Sequence, residues 1–252
     1  MKRLLLLIIF ISSLLSCQFN KEEKTTESKK YIQDGTGKQE VTNKIDSIKL
    51  KGIDISHHQA NIDWTLLKQS AISFVFIKAT GGLDYTDIEF HNNWNNAKQS
   101  GIKRGAYHFY YATDDPIKQA EFFVKTVLKL SDPVDLPPVL DLETHGIDST
   151  ISVEKYQEDV KIWIRTVEKH YKRKPIIYTS TNFANNYLKD DFFSAYHLWL
   201  AEYGTDIPLI PDTWQKAGWK FWQNSSSYTI KGIENSVDHS YFAGSLKDLR
   251  QL

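Results

Sequence analysis

Two carboxylates interrupt an apolar stretch near the middle of the chain. Asp141 and Glu143 follow Pro137-Pro138-Val139-Leu140 and lie on either side of Leu142. Residues two apart on a strand point to the same face, with roughly 6.5–7 Å between their Cα atoms. Two carboxylates so close in a partly desolvated site cannot both ionise easily, so one is expected to keep its proton toward neutral pH. The pair therefore indicates general acid chemistry, with a solvated or salt-bridged pair of acids as the alternative.

The elements that would hold this pair follow from an alternation of β-rich and helical runs. Several of the β-rich runs are apolar on both faces, as buried parallel strands are. The helical signal fades after Ser180. The pattern predicts an α/β fold, a β/α barrel with an irregular, strand-rich last third, rather than a doubly wound open sheet. The eight candidate strands are residues 52–56, 74–80, 105–111, 138–143, 176–180, 198–203, 220–225 and 237–241.

Three amphipathic stripes predict helices between these strands. The longest covers residues 152–172, where apolar side chains recur at intervals of three and four. A second stripe at 117–128 follows Asp115-Pro116, an N-cap and a proline at the first helical position. A third stripe at 88–99 has Asp87 as its predicted N-cap.

Barrel enzymes place their chemistry at the C-terminal ends of the strands, and the polar residues of this chain gather there. Aromatic faces suit the apolar sides of sugar rings, although large aromatic residues also bury for packing alone. The candidates for catalysis are the carboxylates Asp54, Asp141, Glu143 and Asp238, and the candidates for substrate binding are Lys78, Tyr107, Tyr178, Trp199, Tyr203 and Trp222.

Histidines near the predicted barrel mouth raise the alternative of a metal-dependent hydrolase. No clear metal-ligand spacing occurs among them, because adjacent residues such as His57 and His58 would face opposite ways on a strand. We therefore expect no metal and no cofactor. The histidines concerned are His57, His58, His108, His145 and His239.

The first 17 residues have the pattern of a secretory signal. Lys2-Arg3 forms a positive head, and the apolar run 4–11 is too short to span a membrane comfortably. Leu14-Leu15-Ser16-Cys17 resembles the lipobox of bacterial lipoproteins, in which the cysteine carries the lipid. Because Cys17 is the only cysteine, the chain can form no internal disulfide. We expect an exported protein anchored through Cys17 to a bacterial membrane, facing the periplasm or the cell exterior.

The rest of the chain divides into a polar segment and a barrel-sized domain. Residues 18–49 carry almost no apolar side chains and cannot offset the entropy of ordering, so we expect a flexible tether. Residues 50–252 suffice for one catalytic barrel. The chain has 31 basic and 31 acidic residues, and removal of residues 1–17 would leave a net charge of about −2. We therefore expect no nucleic-acid partner, and we expect a monomer.

A set of short motifs gives the chain a specific likeness to a known family. On these motifs it resembles the family 25 glycoside hydrolases, a family of lysozymes, from Gly52 to about Leu249. The motifs are Gly52-Ile-Asp-Ile-Ser-His-His-Gln59, Ile62-Asp-Trp64, Phe74-Val-Phe-Ile-Lys-Ala-Thr80, Gly101-Ile-Lys-Arg-Gly-Ala-Tyr-His-Phe109, Leu136-Pro-Pro-Val-Leu-Asp-Leu-Glu143, Pro175-Ile-Ile-Tyr178, Leu198-Trp-Leu-Ala-Glu-Tyr203, Trp222-Gln223 and Val237-Asp238.

The resemblance implies a flattened TIM-like β/α barrel with eight strands and fewer than eight helices. It also implies hydrolysis of the β-1,4 bond between N-acetylmuramic acid and N-acetylglucosamine in peptidoglycan glycan strands. Glu143 matches the family's general acid/base, Asp141 matches its partner carboxylate, and Asp54 and Asp238 match two further acids. At one position the chain departs from the family, because Gly81 stands where the family usually has Glu.

The spacing of the pair also bears on the mechanism. Two acids on one strand do not straddle a sugar ring as the carboxylates of directly attacking or inverting enzymes do. The pair suits a substrate-assisted reaction, in which the 2-acetamido oxygen attacks the anomeric carbon, Asp141 holds the amide nitrogen and Glu143 carries the proton. A rival hypothesis is a lipoprotein that binds peptidoglycan without cutting it. The presence of all four carboxylates argues against this rival, because a protein that only binds needs no general acid. Gly81 is the one feature that favours it.

Overall fold

The computed structural model describes residues 49–59, 61–128, 130, 132 and 134–252. The predicted signal segment with Cys17, and the predicted tether up to residue 48, lie outside the described residues. The strands found in the described residues are β1 (Leu50–Ile55), β2 (Phe74–Gly81), β3 (Tyr85–Thr86), β4 (Lys103–Phe109), β5 (Val139–Asp141), β6 (Ile176–Ser180), β7 (Leu198–Ala201), β8 (Phe221–Tyr228) and β9 (Val237–Phe242).

Eight of these strands close into a barrel, which confirms the predicted α/β barrel. Their order is β1-β9-β8-β7-β6-β5-β4-β2, and β1 pairs in parallel with β2 to complete the ring. β9 is antiparallel to both β1 and β8. The described connection from β8 to β9, residues 229–236, contains no helix, and a short connection of this kind joins antiparallel strands. The two-residue β3, which was not predicted, pairs with the end of β2.

Six α-helices occur in the described residues, and they confirm the expectation of fewer helices than strands. None of them is long and apolar enough to cross a membrane. They are α1 (Trp64–Lys68), α2 (Phe90–Ser100), α3 (Pro116–Val127), α4 (Val153–Tyr171), α5 (Thr181–Tyr187) and α6 (Leu246–Arg250).

The predicted ends of these helices are right in two cases and wrong in one. Asp115 caps α3 by accepting a hydrogen bond from the Lys118 amide at 2.9 Å, with Pro116 at the first helical position. α4 covers the longest stripe as predicted. Asp87 is not the cap of α2, because the helix begins later, after Glu89. The buried Asp87 carboxylate instead accepts hydrogen bonds from the His57 amide and ring and from the Glu89 amide.

Aromatic rings fill the barrel interior below the predicted site. Phe76 stacks on Trp199 with 4.3 Å between ring centroids, and Phe74 packs edge-on against Phe76 at 5.7 Å. Glycines make room for these rings, since a Cβ atom on Gly52 would lie 2.3 Å from the Phe74 ring and one on Gly105 would lie 2.4 Å from Phe76. The layer beneath the predicted site is therefore apolar, and an unpaired charged group next to it destabilises the fold.

A second apolar layer lies between the strands and the surrounding helices. It includes Trp163 and Val160 of α4 and Phe123 of α3, all fully buried. Burying a large apolar side chain contributes about 1.5–3 kcal/mol, so this layer fixes each strand, and with it the polar residues at the strand ends.

Candidate active site

The four predicted carboxylates converge at one end of the barrel. Asp54 and Asp141 lie at the C-terminal ends of β1 and β5, and Asp238 lies at the N-terminal end of the antiparallel β9. The predicted strand 138–143 ends at Asp141, so Glu143 lies two residues beyond β5.

The four carboxylates line a cavity of about 140 Å³ that we call the acid cavity. Their convergence follows from register, since Asp54 on β1 pairs with Asp238 on β9, and Asp141, the last residue of β5, pairs with Tyr178 on β6. The residues lining the acid cavity are Asp54, Lys78, Tyr107, Phe109, Asp141, Glu143, Tyr178, Trp199, Gln223 and Asp238.

Asp54 and Asp238 form a directly opposed pair of acids. Burial raises the pKa of Asp54 well above its ordinary value, and the nearby charge of Asp238 raises it further. Burial also raises the pKa of Asp238, while its hydrogen bond with Asp54 has the opposite effect. Gln223 donates from Nε2 to Asp54 Oδ2 at 2.9 Å. The arrangement favours a protonated Asp54 that donates to an ionised Asp238.

Asp141 and Glu143 form the second acid pair. Burial raises the pKa of Asp141 well above its ordinary value, and the Glu143 charge adds to this effect, whereas Lys78 opposes it. The pair therefore retains a proton at a pH where separate carboxylates are ionised. No N–H or hydroxyl group of the described residues donates to the buried Asp141 Oδ1, and the hydrogen bond that this carboxyl group makes within the chain is the one with Glu143. An acceptor that lacks an N–H or hydroxyl donor in the fold is open to one from outside the chain.

Lys78 supplies the cationic side chain among the described residues lining the acid cavity. Its ammonium lies 5.3 Å from the Phe109 ring centroid and 5.7 Å from that of Tyr85. Gly81, which departs from the family pattern, pairs with Tyr85 at the end of β2. A Cβ atom there would make ordinary contacts, the nearest at 3.5 Å to Phe109. The backbone therefore accommodates glycine without needing it at this position.

Gln223, which stands in the motif Trp222-Gln223 but was not among the predicted site residues, also lines the acid cavity. Its Oε1 accepts hydrogen bonds from the hydroxyls of Tyr178, at 2.8 Å, and Tyr203. Its Nε2 donates to Asp54, so one amide ties β1, β6 and the segment after β7 together. Burial raises the pKa of Tyr178 well above its ordinary value and that of Tyr203 to about 12, so both remain neutral donors.

The aromatic candidates divide into those in the site and one outside it. Tyr107 and Trp199 line the acid cavity, with the Trp199 indole held by a 3.0 Å hydrogen bond to Ser240. Trp222 lines neither the acid cavity nor the wider cavity beside it. Neighbouring residues on a strand face opposite ways, so Gln223 points inward while Trp222 packs outside against Trp219 and donates to the Glu202 carbonyl.

A wider cavity of about 410 Å³ adjoins the acid cavity and shares Glu143 and Tyr178 with it. We call it the outer cavity. Its volume falls within the range of about 300–1,000 Å³ common for ligand pockets. The two cavities together form a cleft with the acids at its inner end. The remaining residues lining the outer cavity are Thr144, His145, Ser180, Ala201, Glu202 and Tyr203.

The histidines lie in separate environments. His57 and His58 are in a 3-10 turn with ring centroids 4.0 Å apart, so the expectation that they face opposite ways is wrong. His108 is buried beside Trp163, and burial lowers its pKa to about 3. His239 bonds to Asn224 on the far side of β9 from the acids. In the described part of the chain, no group of three or more His, Cys, Asp or Glu side chains is placed to hold a metal ion.

The raised pKa values predict how stability depends on pH. Acids whose pKa is higher in the folded state stabilise the fold below the ordinary value of 3.8, and this contribution is lost as pH rises through the raised pKa. In Asp54→Asn the amide can donate to Asp238 and accept from Gln223, as the protonated acid does. We expect this variant to be more stable than the wild type at pH 7–8 by about 1–2 kcal/mol, or roughly 2–8 °C in Tm, with little difference near pH 3.

Thermal unfolding measured from pH 3 to pH 8 checks this expectation. Asp148→Asn is a matched control. Hydrogen bonds from Thr150 lower the pKa of the exposed Asp148, so this acid stabilises the fold at neutral pH. The stability difference between this variant and the wild type should therefore have the opposite sign to that of Asp54→Asn. Parallel curves for the wild type and Asp54→Asn at all pH values would contradict the protonation of Asp54.

A closed β/α barrel with a carboxylate-lined cleft at one end is an arrangement suited to a barrel glycosidase. Residues 53–233 match the sequence profile of the glycosyl hydrolases family 25. Lysozyme M1 from Streptomyces globisporus is 33% identical over 215 residues, which cover 82% of this chain and 72% of that protein. The chain belongs to glycosyl hydrolase family 25 and is a glycoside hydrolase.

Solved structures agree with this assignment. The crystal structure of the bacterial lysozyme from Streptomyces coelicolor matches with a TM-score of 0.77 and 31% identity, covering 81% of this chain and 96% of that one. A family 25 glycosyl hydrolase from Bacillus anthracis matches with a TM-score of 0.73 and 30% identity, covering 82% and 94%.

Proposed function

We propose that this chain is a muramidase that hydrolyses the β-1,4 bond between N-acetylmuramic acid and N-acetylglucosamine in peptidoglycan. The observation that carries the proposal is the buried Oδ1 of Asp141 in the acid cavity, which has Glu143 beside it but receives no hydrogen bond from an N–H or hydroxyl group of the described residues. An N-acetylated sugar brings an amide N–H that can supply the missing hydrogen bond. The lysozymes among the relatives support the same substrate class.

Glu143 is the proposed proton carrier. It lines both cavities and therefore lies where the glycosidic oxygen of a bound strand would meet the acids. A bound acetamide N–H donating to Asp141 favours the ionised form of that carboxylate, as does Lys78. The proton retained by the pair then resides on Glu143, which protonates the leaving oxygen and afterwards deprotonates the incoming water.

Asp141 is proposed to orient the acetamide group. With the amide nitrogen held, the acetamide oxygen is directed at the anomeric carbon, and the bond to the leaving oxygen breaks as the oxygen–carbon bond forms. The Asp141 carboxylate then stabilises the positive charge of the resulting oxazolinium-like intermediate. Asp54 and Asp238 share one proton, so together they place one further negative charge near the anomeric centre.

The hydroxyl and ring groups around the acids are proposed to position the sugars. Tyr178 lines both cavities and its ring packs edge-on against Trp199 at 4.6 Å, so one aromatic surface continues from the acid cavity into the cleft. Tyr203 is 49% exposed at the outer cavity and offers a ring face to a second sugar. Tyr107, on β4, also lines the acid cavity.

The products of digestion test the proposed bond specificity. Purified peptidoglycan incubated with the protein should yield muropeptides with N-acetylmuramic acid at the reducing end, identified by mass spectrometry after borohydride reduction. N-acetylglucosamine at the reducing end would show cleavage of the other glycosidic bond. Binding to peptidoglycan with no new reducing ends would favour the rival hypothesis of a non-catalytic lipoprotein.

A cell-wall substrate implies that the protein is exported. We propose that a lipid on Cys17 anchors it to a bacterial membrane. The motif Leu14-Leu15-Ser16-Cys17 supports the proposal. In the native host the protein should partition into the detergent phase of a Triton X-114 separation and carry a diacylglyceryl mass at its first mature residue. Cys17→Ser should move it to the aqueous phase with its muramidase activity intact, since this residue precedes the barrel. Equal partitioning of both proteins would exclude the anchor.

A further inference from the structure

A third cavity, of about 590 Å³, lies at the opposite end of the barrel from the acids, and we call it the basal cavity. It is lined by residues around the beginnings of β2 and β4 and by residues of α6. Lys103 opens β4 at this cavity, and Phe109 ends the same strand at the acid cavity. At about 3.3 Å per residue the two sites are roughly 20 Å apart, so this cavity is separate from the proposed catalytic cleft.

The lining of this basal cavity is cationic. Lys68, Lys103 and Arg250 line it, and no acidic residue does so in the described part of the chain. Lys103 is only 9% exposed as a residue and lines the cavity, and its ammonium makes no hydrogen bond or ion pair with any described residue. A lysine with so little exposed surface usually has a charged partner, because its charge is costly away from water.

The surrounding charges do not supply the missing partner. Asp135 is the nearby acid, but its Oδ1 binds the Arg104 guanidinium at 2.8 Å and its Oδ2 accepts from the Asp132 amide at 2.8 Å. Burial lowers the pKa of Lys103, and the positive charges of Arg173 and Arg250 lower it further, with only Asp135 opposing. An anion in the cavity would supply the countercharge that the described residues lack.

Two hydroxyls complete the donors of the basal cavity. Ser73 and Ser100 line it, and no side-chain hydrogen bond engages either hydroxyl among the described residues. Three cations and two hydroxyls around one space suit a tetrahedral oxyanion, which accepts hydrogen bonds in several directions, better than a planar carboxylate. We propose that the basal cavity binds a phosphate group, with Lys103 at its base and Lys68 and Arg250 as further cationic contacts.

The position of the basal cavity favours one source of phosphate. The Ser73 amide donates to the Lys51 carbonyl at 2.7 Å, so the chain enters β1 beside the cavity. The lipid anchor proposed at Cys17 would keep the barrel within reach of a membrane surface, where headgroup phosphodiesters are concentrated. The other source is free inorganic phosphate, and the same lining would bind it.

Titration of the full-length chain at constant ionic strength tests the proposal. The probes are inorganic phosphate and glycerophosphoglycerol, the phosphodiester headgroup of phosphatidylglycerol, with binding followed by calorimetry. We expect saturable binding that Lys103→Gln and Arg250→Gln each weaken by about tenfold or more, since each removes a charged hydrogen bond. Lys125→Gln removes an exposed lysine of α3 outside the cavity and should leave the affinity unchanged.

The outcomes separate the two sources and can overturn the proposal. Tighter binding of the diester identifies a lipid headgroup as the ligand, and binding of inorganic phosphate alone identifies free phosphate. Absence of saturable binding, or equal weakening by Lys125→Gln, overturns the site. Hydrolysis of peptidoglycan, which should be unchanged in all three variants, reports on folding. If Lys103→Gln does not fold, Arg250→Gln decides the question, because Arg250 is exposed on α6.

Discussion

Glu143→Gln should lower the rate of reducing-end release from purified peptidoglycan by about 10²–10⁴-fold, the usual contribution of a general acid. The amide has nearly the shape of the carboxyl group but can neither give a proton to the leaving oxygen nor take one from water. Binding of the glycan should change little, because the amide retains one acceptor and one donor. The loss should therefore fall on kcat, with KM nearly unchanged.

A matched glutamate in the same cleft controls for charge and position. Glu202 lines the outer cavity but not the acid cavity, and Glu202→Gln removes the same charge. This variant should keep activity within about threefold of the wild type, since loss of a solvated charge near a site costs less than about 1 kcal/mol. Near-full activity of Glu143→Gln would contradict the assignment of Glu143, and an equal loss in Glu202→Gln would attribute the effect to charge in the cleft.

The barrel itself could be predicted from the sequence because its signals are local. Each strand is a short run of apolar residues, and each long helix carries its own stripe and cap, as α3 and α4 do. The direction of β9 could not be predicted, since it depends on the absence of a helix in the preceding connection rather than on the strand's own residues. The likeness to a known family added the closure of the barrel, which no single segment specifies.

Long-range hydrogen bonds account for the residues that were misassigned. Asp87 stands before an amphipathic stripe, where an aspartate usually caps, but His57 lies 30 residues away in sequence and binds its carboxylate at 2.7 Å. Gln223 appeared only within the motif Trp222-Gln223 and was not named as a site residue, because a lone amide has no distinctive signal and its role depends on two tyrosines and an aspartate from distant segments. The two-residue period of β8 could have shown that Trp222 and Gln223 do not both face inward.

The four acids were found because they break a rule that holds elsewhere in the chain. Asp54 and Asp141 have apolar neighbours on both sides in the sequence, and both are less than a tenth exposed. Placing them there costs stability at neutral pH, as their raised pKa values indicate. Buried acids that lower stability in this way are expected at functional sites, where the reaction requires them.

Asp141→Asn should reduce hydrolysis of N-acetylated glycan strands by about 10–150-fold, the equivalent of one charged hydrogen bond of roughly 1.5–3 kcal/mol. The neutral amide can still contact the acetamide, but it cannot stabilise positive charge on the intermediate. Strands chemically N-deacetylated at their muramic residues lack the group that Asp141 would hold. The wild type should cleave these strands at least tenfold more slowly, and Asp141→Asn should lose much of this preference.

Asp54→Asn provides the matched control, because it makes the same substitution in the same cavity on a residue not proposed to touch the acetamide. Its rate should fall, but its preference for acetylated strands should persist. Equal cleavage of acetylated and deacetylated strands by the wild type would exclude assistance by the acetamide while leaving Glu143 as the proton carrier. An unchanged preference in Asp141→Asn would exclude Asp141 as the group that orients it, and its Oδ1 would then need another donor.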